Sequence, residues 1–139
     1  MSSARQLHAI DQLCARPLRG HGALTELRRT DFDETDPGEY EERCEQYEAE
    51  LAALHRPLNR RWEAHGPMGL QGVLLRGAGG GYGEGEPEEI PEPWHGLSWA
   101  ASSVDLWHTG DRWLVLALTD RERPRLLRLI ALTTHVDPP

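Results

Sequence analysis

The stretch SVDLWHTGDRWLVLALT (residues 103–119) carries the most fold information in this chain. Two apolar runs, SVDLWHT and RWLVLALT, flank Gly110-Asp111, a dipeptide suited to a tight turn, so together they read as a β-hairpin. After a second turn, DRERP, comes RLLRLIALTTHV (125–136). That run suits either a third strand or a buried helix. Strand is favoured, because a meander lets all three runs cover one helical face.

That helical face is written upstream. Tyr40, Cys44, Tyr47, Leu51, Leu54, Leu58 and Trp62 recur at spacings of 4, 3, 4, 3, 4 and 4, one continuous apolar stripe. Pro57 removes one hydrogen bond and crowds the carbonyl of Ala53. The stripe keeps its phase beyond it, which predicts one long kinked helix from about Pro37 to Ala64, stopped by Gly66-Pro67. Leu7, Ile10, Leu13 and Cys14 predict a short helix over Ser3–Arg16, ended by Pro17 and the glycines after it. ALTELRRTDF (23–32) and MGLQGVLLR (68–76) read as strands, and GAGGGYGEGEPEEIPEPW (77–94) as a mobile loop rich in glycine, proline and acid. The expected fold is α+β: an antiparallel β-meander of three to four strands packed on the long kinked helix and the short N-terminal one. The chain is read as a single domain, 1–139, with the loop 77–94 inside it.

Composition narrows function. At 139 residues the chain suits one compact domain. Only 38% of residues are hydrophobic, and ten prolines with fourteen glycines imply irregular connections, partly offset by five tryptophans. All fifteen basic residues are arginine, a bias of GC-rich codon usage. It excludes a P-loop lysine, a Schiff-base lysine and a lysine general base. The net charge of -8 is concentrated in two blocks: residues 31–50 hold ten acids against one arginine, and residues 84–92 hold five acids. Such blocks repel nucleic acid and anionic membranes and attract basic partners. No apolar run resembles a signal peptide or a membrane span, and Cys14 and Cys44 form no metal signature, so a cytoplasmic protein with reduced thiols is expected.

The segment TDFDETDPGEYEE (30–42) invites chemistry. DFDET fits the D-x-D-x-T pattern of aspartate phosphotransfer, which needs a buried strand ahead of it and a later lysine; LTELRRT is not a buried strand, and the chain lacks both the length and any lysine. A calcium loop begun at Asp31 would place Asp36 where the sharp turn requires glycine. A helix start accounts for more residues. Asp36 suits the N-cap, Pro37 the first helical position and Glu39 the capping box. Glu41, Glu45 and Glu48 then share a solvent face, a solvated surface or one shaped for a basic partner.

Other motifs fall away. No register of GAGGGYGEG gives G-x-G-x-x-G, and its acids oppose phosphate. The seven histidines show no i, i+4 pair. His95 and His108 flank tryptophans, where a buried ring is the commoner outcome. No serine has a G-x-S-x-G setting. Trp107 and Trp113 are expected to face each other across the hairpin. Trp94 and Trp99 leave the acidic loop and suit either core or a partner anchor.

The order from residue 40 onward is a long acidic helix ending in RW, a strand, an acidic loop with IPEPW, then DLWHTGDRWLVLAL and a PRLLRL strand. In layout and composition it resembles the small acidic immunity proteins of toxin–immunity pairs from GC-rich, actinobacterial-type bacteria. The resemblance implies a cytoplasmic protein that neutralises a basic protein partner, a toxin, through an acidic surface. The candidate partner-binding residues are Asp31, Asp33, Glu41, Glu45, Glu48, Glu84, Glu86, Glu88, Trp94 and Trp99. No catalytic residue, metal or cofactor is assigned. Two alternatives remain: a small enzyme or ligand-binding domain with a pocket between sheet and helix, and a structural subunit of an assembly.

Overall fold

The computed structural model describes residues 3–32, 37–79, 86–123 and 125–139. Among them the chain forms α1 (Ser3–Ala15), β1 (Ala23–Asp31), α2 (Pro37–Arg61), β2 (Glu63–Ala64), β3 (Met68–Gly69), α3 (Gln71–Gly77) and α4 (Trp94–Ala100). It ends with β4 (Ser103–His108), β5 (Trp113–Thr119) and β6 (Leu126–Thr134). The fold is α+β with one antiparallel sheet of six strands. Its order is β1-β6-β5-β4-β2, and β3 also pairs with β4.

The meander β4-β5-β6 forms as expected, closed by a hairpin in which Gly110 takes φ 105°, a conformation that glycine reaches without a Cβ penalty. Two features differ from the expectation. The sheet has more strands, because β1 adds beside β6 and two short strands add beside β4. It is also covered on both faces. Leu114, Leu116, Leu127, Leu129 and Ala131 point into a core with Ile10 and Leu13 of α1 and Tyr47, Leu54 and Leu58 of α2. Val115, Ala117, Ile130 and Leu132 point the other way, against Val73 of α3 and Trp94 and Leu97 of α4. Side chains alternate across a strand, so apolar runs without polar alternation, such as LVLAL and LIAL, mark strands buried on both faces.

Three local readings are corrected. MGLQGVLLR contributes only a two-residue strand before turning into α3. The segment read as a loop to residue 94 ends at α4, whose Trp94, Leu97 and Ser98 are buried. Trp107 and Trp113 do not face each other: Trp107 pairs with Leu114 and Trp113 with His108, so the two indoles lie on opposite faces. Helices α1 and α2 form close to their predicted bounds, with α2 running as one helix past Pro57. The N-cap assigned to Asp36 lies outside the described residues.

Side-chain bonds fasten the layers. Trp107 Nε1 donates to Asn59 Oδ1 of α2 at 2.7 Å, and Gln6 Nε2 of α1 donates to Glu50 of α2 at 2.9 Å. Thr30 of β1 and Tyr47 of α2 share a hydroxyl–hydroxyl bond. Arg112, buried at the hairpin, donates from Nη1 to the carbonyl of Arg16 at 2.7 Å, holding the end of α1 against the β4–β5 turn.

Candidate interaction surface

Helix α4 is buried on one side and exposed on the other. Inward, Trp94 is fully buried and donates from Nε1 to the carbonyl of Val136 at 3.0 Å. Outward, His95 and Gly96 are exposed, and Trp99 is 58% exposed, the most exposed large apolar side chain among the described residues. Glu92 organises this outer side. Its carboxylate accepts from Gly96 N at 3.2 Å and from His95 Nδ1 at 3.1 Å. A carboxylate only accepts here, so Nδ1 carries the proton, leaving Nε2 to accept from Trp99 Nε1 at 3.3 Å. The chain Glu92–His95–Trp99 thereby fixes an otherwise free indole.

Beside it lies a cleft of about 260 Å³ between α4 and the flank of the sheet. Pro93, Gly96, Leu97 and Ala100 form one wall, and Leu24, Ile130 and Leu132 the apolar floor. The cleft exists because α3 and α4 cover this face only as far as β6, leaving β1 beyond them; Leu24 is 44% exposed. Arg128 and Glu122 close one end. The guanidinium is held between two carboxylates: Nε and Nη2 donate to Glu122 at 2.8 and 2.7 Å, and Nη1 to Glu26 at 3.3 Å.

The candidate residues from sequence divide between two sides of the sheet. Glu41, Glu45 and Glu48 are exposed on α2 and make no ion pair with any described residue. Glu86 and Glu88 are exposed on the opposite side, where Glu88 N donates to the carbonyl of Arg76 at the end of α3. Asp31 is exposed at the end of β1, held by Arg29 Nε at 2.8 Å, and this hydrogen bond keeps its carboxyl below the usual range. Trp94 is corrected from partner anchor to core; only Trp99 remains available. Asp33 and Glu84 lie outside the described residues. The ten residues therefore form no single surface.

Sequence reading missed Glu92 and His95 as a pair, though their spacing of three beside Trp99 is a usable signal once α4 is recognised. His95 is exposed rather than buried, whereas His108 is half-buried with its ring centroid 4.8 Å from that of Trp113. The space between sheet and α2, expected to hold a pocket under the ligand-binding alternative, is filled by Tyr47, Leu54 and Leu58. Cys14 is no candidate nucleophile: burial pushes its thiol up to about 11, and burial also raises Cys44. Among the described residues, no group of three His, Cys, Asp or Glu side chains is placed to hold a metal ion, and no helix is long and apolar enough to cross a membrane. Comparison with protein-family models, with curated proteins and with solved structures finds no match to this chain.

Proposed function

We propose that this chain is a protein-binding module for a basic protein partner, acting as an immunity-type protein that covers a toxin. The observation that carries this reading is Trp99: an exposed indole held outward by a hydrogen-bonded chain that runs through His95 to the carboxylate of Glu92. A rigid, accessible aromatic with a polar surround is the usual anatomy of an interface hot spot. The exposed acids Glu41, Glu45 and Glu48 of α2 add long-range attraction for a cation-rich partner, setting association rate more than final affinity.

The cleft supports a second reading, a small-ligand domain. Its volume of about 260 Å³ falls below the roughly 300–1,000 Å³ typical of such sites, so the protein-binding reading is preferred. The test is affinity capture from the native host with wild type and Trp99→Ala side by side, followed by co-expression with the captured protein. The proposal expects a basic protein retained by wild type, lost at least tenfold on Trp99→Ala, and rendered harmless by co-expression. Equal capture by both forms would remove Trp99 from the interface, and capture of no basic protein would remove the function.

A further inference from the structure

We propose that the cleft beneath α4 seats a cationic side chain, an arginine or lysine of the basic partner; this rests on the protein-binding reading above and names what that surface recognises. Shape comes first. A slot of about 260 Å³ with an apolar floor of Leu24, Ile130 and Leu132 suits one extended side chain better than a drug-sized molecule. Arginine and lysine combine an aliphatic stem, which such a floor covers, with a charged head that stays near water at the rim.

Charge then selects the sign. The ionisable groups lining the cleft are Glu92, Glu122 and Arg128, two acids to one base. Arg128 is a poor receptor for an anion, because three of its five N–H groups already donate to Glu122 and Glu26, and those two carboxylates outweigh its single positive charge. Glu92 is the reverse case. Each of its oxygens accepts one hydrogen bond, from His95 or Gly96, and a carboxylate has about four acceptor positions, so capacity for a guanidinium or ammonium remains. Trp99 flanks the same wall: at 3.6 residues per turn it lies about 60° round α4 from Gly96, on the solvent side. An arginine entering past Trp99 thus meets an aromatic rim, an apolar floor and a fixed carboxylate.

The experiment uses small probes, so it needs no identified partner. Butylguanidinium is titrated into the full-length protein while the amides of Gly96, Leu97, Ala100 and Ile130 are followed by NMR. Neutral butylurea and anionic pentanoate serve as controls. The expected result is saturable shifts at these amides, with dissociation constants on the order of millimolar. Butylurea should bind at least fivefold more weakly, and Glu92→Gln should weaken butylguanidinium about tenfold. Ala100→Leu, which fills the cleft and leaves Glu92 alone, should abolish binding; circular dichroism confirms that each variant is folded. Pentanoate binding as tightly as butylguanidinium would assign recognition to Arg128 and overturn the proposal. Shifts at the same amides on raising protein concentration alone would mean that a second copy fills the cleft, which also overturns it. The two readings fail separately: a captured partner whose affinity is unchanged by Glu92→Gln and Ala100→Leu refutes the cleft, whereas probe binding with no basic partner refutes only the wider function.

Discussion

The contrast between Trp94 and Trp99 gives the sharpest test of the structure, because the two residues sit five positions apart on one short helix and are assigned opposite roles. Trp94→Ala removes a fully buried indole. An aromatic side chain buries roughly 150–250 Å², worth about 4–6 kcal/mol at about 25 cal/mol per Å², an upper estimate because the unfolded chain hides some of that area. Measured truncations of buried aromatics give about 3–5 kcal/mol, so about 4 kcal/mol is expected. Set against a total of about 5–15 kcal/mol for a domain, this removes a large fraction of the stability. The midpoint should fall by roughly 10–20 °C. Trp94→Phe keeps a ring but loses the bond to Val136 and should cost about 1–2 kcal/mol. Trp99→Ala should stay within about 0.5 kcal/mol while weakening partner capture. Urea unfolding followed by far-ultraviolet circular dichroism measures all three. A Trp94→Ala cost below about 1 kcal/mol at unchanged m-value would refute the packing of α4 against the sheet, and with it the geometry of the cleft.

Arg112→Met should cost about 1.5–3 kcal/mol at neutral pH, since it deletes a charge-assisted bond to the Arg16 carbonyl; hydrogen exchange should localise the loosening to the end of α1. Arg112, followed by Thr109, holds the Asp111 carboxyl below its usual range. A depressed folded pKa gives stability that is present above the unfolded value near 3.8 and lost as pH falls through the folded one. The urea midpoint of wild type should therefore drop in that acid window, with a smaller drop in Arg112→Met. Gly22→Ala should destabilise by more than about 1 kcal/mol, because Gly22 has φ 145° and a Cβ there would sit 2.1 Å from the Thr133 carbonyl oxygen; a thermal midpoint equal to wild type contradicts the β1–β6 approach. Burial raises the Cys14 thiol from an ordinary 9.0 to about 11, so the stability tied to this group is fully present below pH 9.0 and is lost as pH rises from there to about 11. Thiol titration with an aromatic disulfide near pH 8 should be slow in native protein and fast in urea.

The main frame was legible in sequence because its signals are local. The stripe from Tyr40 to Trp62 fixes α2, and the runs around Gly110-Asp111 fix β4 and β5. The second layer was harder to see. Leu70 and Val73 of the MGLQGVLLR run point to one side at helical spacing, but a short apolar run fits strand and helix equally. Trp94, Leu97, Ser98 and Ala101 also follow helical spacing, and Pro93 suits a helix start; the surrounding proline, glycine and acid masked that signal. Because this layer was missed, the strands were given one covered face instead of two. The cleft was beyond sequence altogether. Its walls come from β1, α4, the end of β5 and β6, and only pairing of β1 with β6 assembles them.

That pairing also constrains the order of manufacture. Ala23 is matched with Thr133 and Asp31 with Leu126, so among the described residues β1 finds its sheet neighbour only once β6, far downstream, has been made. Until then β1 lacks the strand it pairs with, and contacts between such distant residues form slowly. A nascent chain halted before Leu126 should remain open to protease across β1, and synthesis through Thr134 should close that window abruptly. A halted chain already protected over β1 would show that α1 and α2 shelter the strand before its partner exists.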